Sequence, residues 1–214
     1  NTLKAFTSMG VKILDENGKI IIYGNGLKSL KKPNHEIYLG NSGTSARLLT
    51  GLLSSQKFNT VLTGDKSLSS RPMERISKPL IEMNAKISTN NGKMPLEISG
   101  SELTNKDLEI KIPSAQIKSG IMLAALNTTG VTNIIEHHIS RDHTEIMLKA
   151  FNAEIETEFK EEKKIIKING KKELRSVNID VPSDLSSSAF FIVAAIINDN
   201  SHIELKNINI NPTR

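Results

Sequence analysis

The chain has 214 residues, of which 37% are hydrophobic, so it can build a core for one domain or for one domain plus part of another. It contains no cysteine, which excludes disulfides, thiolate metal ligands and a cysteine nucleophile. The net charge of +5 comes with only 4% aromatic residues, too few to stack bases, so we expect no nucleic-acid partner. The longest apolar run, Ala189–Ile197, is too short to span a membrane, so we expect no membrane partner.

The first predicted elements are a helix and a hairpin. The helix ends at Gly10, a residue type that tolerates the left-handed backbone of a helix stop. Two strands, Val11–Leu14 and Lys19–Tyr23, flank Asn17-Gly18, which is a strong hairpin signal. Because no strand and no initiator Met precede this helix, we expect the chain to start part-way through a longer protein.

A small-residue turn, Asn41–Ser45, then connects a short strand at Ile37–Gly40 to an apolar helix, SGTSARLLTGLL. A helix start presents unpaired N–H groups and the positive end of a dipole, which suits phosphate or carboxylate. A second helix is predicted to open at Ser70-Arg71-Pro72, with Arg71 at its start, and to stop at Asn84. Strands at 86–89 and 95–99 follow as a hairpin.

The same layout recurs about 70 residues later. A strand at Ile110–Pro113 leads into Ser114, a good N-cap residue, and the apolar helix SAQIKSGIMLAAL. Ser140-Arg141 then opens a helix that stops at Asn152, and strands at 154–159 and 164–169 follow. A third start runs from Ile179–Pro182 through the cap Ser183 into SDLSSSAFFIVAAI.

The repeating unit is therefore β-α-β-α-β-β, an α/β (α+β) class of fold. Two full copies span Leu30–Gly100 and Asp107–Gly170, and we expect a half-copy at either end of the chain. The first helix of each copy is apolar on nearly every face, which indicates burial all round.

Five motifs resemble the EPSP synthases (3-phosphoshikimate 1-carboxyvinyltransferases) of the bacterial type, in that family's order and spacing. They are LGNSGTSARLLTGLL, TGDKSLSSRPMERISKPL, PSAQIKSGIMLAAL, SRDHTEIMLKAF and VPSDLSSSAFFIVAAI. The resemblance implies an inside-out α/β fold of two globes, with buried parallel helices and small outer sheets. It assigns residues 1–178 to the first globe, lacking its first strand and part of its first helix, and 179–214 to the crossover and the incomplete start of the second.

The activity that this resemblance implies is transfer of the enolpyruvyl group of phosphoenolpyruvate to the 5-hydroxyl of shikimate 3-phosphate, with release of phosphate. This is a cytoplasmic step of aromatic amino acid biosynthesis. It implies no metal or organic cofactor, and the partners are the two substrates and the missing half of the same enzyme. The parent protein is expected to be a monomer.

Carried over by matching motifs, the resemblance assigns the phosphoenolpyruvate side to Gly43, Arg71 and Gln116. It assigns shikimate 3-phosphate to Ser114, Ala115, Gln116 and Arg141. The acid–base residues of the family lie on the second globe, so it implies no catalytic residue in this chain. We therefore expect the chain alone to be inactive and to bind shikimate 3-phosphate no better than in the high micromolar range.

Simpler structural roles are open to the same residues. Ser114 alone would be only a helix cap, Gly43 could relieve a tight turn, and Arg71 and Arg141 could be surface charges. Their recurrence at matching ends of repeated units favours the functional interpretation. Arg47 and Lys118, one turn into their helices, are interpreted as structural or supporting residues.

Other functional classes account for parts of the sequence. Glu136-His137-His138 looks like a metal cluster, but neighbours on a strand point to opposite faces and rarely chelate one ion. A UDP-sugar enolpyruvyl transferase shares fold and donor, yet that family usually carries a reactive cysteine in the loop that here spans Asp65–Ser70. A non-catalytic remnant domain is the third possibility. The terminal half-copies would either pair with each other or belong to different globes.

Overall fold

The computed structural model describes residues 1–27 and 29–213 and divides the chain after Ser176. Within these described residues the first unit, Asn1–Ser176, contains six helices and ten strands, and the second unit, Val177–Arg214, contains one helix. The sequence-based boundary lies two residues further along, at 178. The assignment of the two units to two globes of a transferase stays a prediction.

The helices and strands of the first unit follow the predicted order closely. They are α1 (Thr2–Ser8), β1 (Lys12–Glu16), β2 (Lys19–Tyr23), β3 (Ile37–Tyr38), α2 (Gly43–Leu53), β4 (Asn59–Thr63), α3 (Lys66–Ser69), α4 (Glu74–Glu82), β5 (Lys86–Asn90), β6 (Lys93–Ser99), β7 (Asp107–Ile110), α5 (Ala115–Ala125), β8 (Val131–Glu136), α6 (His143–Ala150), β9 (Ile155–Lys160) and β10 (Lys163–Asn169). The second unit contains α7 (Leu185–Ile196).

Two four-stranded sheets have the same topology, which confirms the repeat. Their strand orders are β3-β4-β6-β5 and β7-β8-β10-β9. In each sheet the first pair is parallel and the other pairs are antiparallel. β1 and β2 form a separate two-stranded hairpin, as the Asn17-Gly18 turn predicted.

The predicted helix stops are also confirmed. Gly10, Asn84 and Asn152 have φ values of 85°, 72° and 65°, in the left-handed region that ends a helix. The backbone N–H groups of Asn84 and Asn152 bond to carbonyls of the last helical turn, at Ile81 and Lys149. The second helix of each full copy therefore ends in the same way, with an asparagine in the left-handed conformation.

The core lies between helices and sheets, with α2 and α5 side by side at its centre. Both helices are largely buried, and Lys118, Ile121 and Met122 of α5 are fully buried. A Cβ at Gly51 of α2 would overlap the carbonyl oxygen of Gly120 of α5. Glycine at both positions therefore lets the two backbones approach closely, and the prediction of an α/β fold with buried helices is confirmed.

The start of the second helix differs from the prediction in the first copy. A short helix that the sequence reading missed, α3, is capped by Asp65, whose side chain accepts from Leu68 N at 2.7 Å. The following helix, α4, begins only at Glu74, and the backbone N–H of its N-cap Met73 donates to Gly92 O at 2.7 Å. Arg71 thus lies in the turn between two helices rather than at a helix start.

The second unit corrects three expectations. Asp184, not Ser183, caps α7, because its carboxylate accepts from the backbone N–H groups of Ser186 and Ser187. The predicted strand Ile179–Pro182 is reduced to a single parallel bridge between Ser183 and Ile208. Burial all round is wrong for α7, since Phe190 is 81% exposed: the described residues of this unit provide no sheet or second helix to cover it.

No helix in residues 1–27 and 29–213 combines the length and the apolar character that a bilayer crossing requires.

Candidate anion-binding site

The start of α2 is held by a network of small hydroxyl side chains. Ser42 is its N-cap, and its Oγ accepts from Ser45 N at 3.2 Å. Ser45 Oγ in turn accepts from Ser42 Oγ at 2.8 Å and lies 2.7 Å from Thr2 Oγ1 at the start of α1. The turn that the sequence singled out therefore begins a helix, with its first residue, Gly43, buried.

Arg47 ties three segments together beside Gly43. Its Nη1 donates to Gly43 O at 3.2 Å and to Gln116 Oε1 at 2.9 Å. Its Nη2 donates to Pro72 O at 3.4 Å, in the turn ahead of α4. The beginnings of α2 and α5 and the turn between α3 and α4 consequently meet at one guanidinium.

Arg71 also lies beside Gly43. A Cβ at position 43 would lie 2.9 Å from Arg71 Nη1 and 2.7 Å from Arg47 Nη1. Arg71 Nη2 donates to Ser67 Oγ of α3 at 3.4 Å, which anchors it in its turn. Two guanidinium groups thus occupy the space that a side chain at Gly43 would fill.

Gln116 completes this part of the site. While its Oε1 accepts from Arg47, its Nε2 donates to Thr44 Oγ1 at 2.8 Å. Both ends of the amide are used, which fixes the start of α5 against the start of α2. The predicted residues Gly43, Arg71 and Gln116 are therefore brought together, and Arg47 is the residue that joins them.

The electrostatics of this cluster favour an anion. The pKa of Arg47 is lowered, first by burial and then by the positive charges of Arg71 and Arg75. Cations held this close repel one another, and a bound phosphate or carboxylate would relieve that repulsion while accepting charge-assisted hydrogen bonds. The planar guanidinium fork suits either of these two anions.

The start of α5 is capped by Ser114, as the sequence predicted. Ser114 is the N-cap, and its Oγ accepts from Ile117 N at 3.4 Å. Ser114, Ala115 and Gln116 are each half-buried, so the helix start is partly open to solvent. The cap role of Ser114 is confirmed, and its role as a ligand stays a prediction.

Arg141 is exposed and lies just before α6, whose N-cap is Asp142. Its neighbour Ser140 is fixed to α5, because Lys118 Nζ donates to Ser140 O at 3.3 Å. The first turn of α6 is fixed as well, since Thr144 Oγ1 lies 2.6 Å from Ser119 Oγ. The segment that carries Arg141 is thus attached to the helix that begins with Ser114.

Three residues of this region were not assigned to the site from the sequence. Thr44 and Arg47 contact Gln116 directly, and Lys118 holds the turn of Arg141. The available signal was the four-residue spacing from Gly43 to Arg47 and from Ser114 to Lys118, which places each cation one turn above a helix start. Spacing alone does not reveal the cross-helix partner.

The residues that resemble a metal motif lie against different neighbours. Glu136 points inward to Lys118, at 3.1 Å, whereas His137 Nε2 lies 3.5 Å from Glu109 Oε2. The neighbouring side chains therefore serve different partners. Among the described residues, no group of three or more His, Asp or Glu side chains has a metal-binding arrangement.

Comparison with known proteins identifies one family over the whole chain. The family model of EPSP synthase (3-phosphoshikimate 1-carboxyvinyltransferase) matches residues 1–214. The 3-phosphoshikimate 1-carboxyvinyltransferase of Ruthia magnifica is 49% identical over all of this chain, and that of Hydrogenovibrio crunogenus is 46% identical. The solved EPSP synthase of Acinetobacter baumannii superposes with a TM-score of 0.86 at 47% identity over 99% of this chain.

The chain spans about half the length of these relatives. It covers 48% of the Ruthia protein, 49% of the Hydrogenovibrio protein and 48% of the Acinetobacter chain. Match length, identity and fold agree with the repeated units described above. The chain belongs to the EPSP synthase (3-phosphoshikimate 1-carboxyvinyltransferase) family.

Proposed function

We propose that this chain supplies the phosphate-binding half of a 3-phosphoshikimate 1-carboxyvinyltransferase. The reaction moves the enolpyruvyl group of phosphoenolpyruvate to the 5-hydroxyl of shikimate 3-phosphate and releases phosphate. Both substrates are polyanions, so a site for them needs several fixed cations and N–H donors. The observation that carries the proposal is the Arg47–Gln116 hydrogen bond, because it joins the two helix starts beside Arg71.

The two substrates would occupy neighbouring places in this site. The Gly43 N–H and the Arg71 guanidinium would bind the phosphate of phosphoenolpyruvate. Ser114, Ala115 and Arg141 would bind the phosphate of shikimate 3-phosphate. Gln116 would contact both substrates, and its amide is already held in one orientation by Arg47 and Thr44.

The chemical role of these groups is binding and charge stabilisation. In the addition step the methylene carbon of phosphoenolpyruvate gains a proton, and the 5-hydroxyl oxygen bonds to the enol carbon and gives its proton to a base. The bond from that carbon to the phosphate oxygen then breaks, and fixed guanidinium groups stabilise the negative charge on the departing phosphate without reorganisation. The proton donor and the base are proposed to come from the other half of the enzyme. We therefore expect no phosphate release from the two substrates by this chain alone.

Binding of shikimate 3-phosphate to the 214-residue chain tests the proposal. We expect a dissociation constant of about 0.1 to 1 mM, because ligands from the other half are missing. Shikimate, which lacks the phosphate, should bind at least about ten-fold more weakly, since charge-assisted hydrogen bonds contribute roughly 1.5–3 kcal/mol each. Isothermal calorimetry at fixed low salt measures both.

A matched pair of arginine variants makes this test specific. Arg141→Ala should weaken shikimate 3-phosphate binding by about ten-fold or more. Arg175→Ala removes the same charge from an exposed arginine whose backbone lies at the far end of α6, against Phe151 O, and should leave affinity within two-fold. Equal losses in the two variants would show only general charge attraction and would contradict the proposed site.

A further inference from the structure

Four ionisable side chains meet in the interior of the second repeat, and we name them the buried ion cluster: Lys118, Glu136, Glu145 and Lys164. Lys118 Nζ lies 3.1 Å from Glu136 Oε2 and 2.8 Å from Glu145 Oε1. Lys164 Nζ lies 2.9 Å from Glu145 Oε1 and 4.0 Å from Glu136 Oε2. Their side chains are between 0% and 5% exposed, and the cluster joins α5, β8, α6 and β10.

Stability alone does not account for such a cluster. Two carboxylates and two ammonium groups must give up their water, and apolar residues of similar volume often stabilise a core as well or better. In the first repeat the cation one turn above the helix start is Arg47, which is only half-buried and donates to Gly43 O, Gln116 Oε1 and Pro72 O instead of to carboxylates. Among the described residues, the buried ion cluster contains all the charged side chains that are classed as buried, and all four belong to the second repeat.

It holds the turn that carries Arg141. Lys118 Nζ donates to Ser140 O at 3.3 Å, and Ser140 Oγ makes a short hydrogen bond to Glu136 Oε1. Glu145 lies in the first turn of α6, just after Arg141. The residue before Arg141 and the helix after it are thus both fixed to one buried lysine.

We propose that Lys118 is a positioning residue for Arg141, acting through the buried ion cluster and the Ser140 carbonyl. The inference rests on the proposed function, in which Arg141 binds the phosphate of shikimate 3-phosphate. An exposed arginine on a mobile turn would lose conformational entropy on binding, and a turn already fixed by buried contacts removes part of that cost. Lys118 itself touches no substrate, because its ammonium is enclosed by the two carboxylates and the Ser140 carbonyl.

The test uses a variant that keeps the cluster neutral. Lys118→Met combined with Glu145→Gln removes one charge of each sign, leaves Lys164 to pair with Glu136, and deletes the donor to Ser140 O. Lys167→Met is the matched control, because it removes an exposed lysine that pairs with Glu158 at 2.9 Å on the same strand, β10.

A double-mutant cycle then separates positioning from general damage. With Arg141 present, the Lys118→Met/Glu145→Gln variant should bind shikimate 3-phosphate about five-fold more weakly than the unmodified chain. In the Arg141→Ala background the same two changes should cost less than two-fold, since there is no arginine left to position. An equal loss in both backgrounds, or no loss in either, overturns the inference.

A measurement without ligand distinguishes failure of this inference from failure of the proposed function. The backbone ¹⁵N order parameter at Arg141 should fall from about 0.85 to below about 0.6 in the Lys118→Met/Glu145→Gln variant and stay unchanged in Lys167→Met. An unchanged order parameter in both variants overturns the positioning role. Absence of shikimate 3-phosphate binding to the unmodified chain would contradict the proposed function while this readout still decides whether Lys118 orders the turn.

Discussion

Lys118→Met is expected to lower the free energy of unfolding by about 3–5 kcal/mol. The substitution removes one cation from the buried ion cluster and leaves Glu136 and Glu145 to share Lys164. Glu136 would keep only a 4.0 Å approach to that lysine, so a buried carboxylate would be left without a close counter-charge. Removing one partner of a buried ion pair lowers the free energy of unfolding much more than replacing both partners.

Denaturant unfolding at pH 7 measures this effect. Adding Glu145→Gln to Lys118→Met should restore most of the lost stability, because the charges then balance again. Lys167→Met, which breaks an exposed pair with Glu158, should change the free energy of unfolding by less than about 1 kcal/mol. A Lys118→Met protein as stable as the unmodified chain would show that Glu136 and Glu145 do not depend on Lys118 for charge compensation.

Gly51→Ala is expected to destabilise the chain by about 2–3 kcal/mol, although alanine is the better helix former. In an exposed helix the same change would stabilise by about 1 kcal/mol. Here a Cβ would overlap the carbonyl oxygen of Gly120, so α2 and α5 would have to move apart. The sign of the effect therefore distinguishes close helix contact from simple helix propensity.

The control for this prediction is Gly24→Ala. Position 24 has no heavy atom within 4 Å of an added Cβ, so the free energy of unfolding should change by less than about 0.5 kcal/mol. Because α2 carries Gly43 and Arg47 while α5 carries Gln116, separation of the helices should also lengthen the Arg47–Gln116 hydrogen bond. A Gly51→Ala chain that is more stable than the unmodified one would contradict the observed packing.

The repeat could be read from the sequence because its signals are local. Helix stops at Asn84 and Asn152, the Ser114 cap and the Asn-Gly hairpin each depend on residues within one turn of each other. Because these signals recur in the same order, they predicted two units of the same topology, and the two sheets match. The cluster around Arg47 was not predictable in this way, since its partner Gln116 lies 69 residues along the chain.

The errors have physical causes as well. Asp65 and Ser183-Asp184 show that several residues near a helix start can cap it, and only the backbone path decides which one does. The apolar character of α7 predicted burial, but burial needs a covering layer, and the described part of residues 177–213 has no second helix and no sheet. The two ion pairs of Lys118 were hidden because their partners, Glu136 and Glu145, come from two other elements, β8 and α6.

The most direct measurement is a titration of the ¹⁵N-labelled chain with shikimate 3-phosphate, followed by backbone amide shifts. A site built from two joined helix starts predicts saturable shifts centred on Ser114, Ala115, Gln116 and Arg141, with smaller ones at Gly43. Shikimate without its phosphate should produce far weaker changes at the same amides. Shifts confined to the lysine-rich surface elsewhere, or none up to millimolar ligand, would contradict the account.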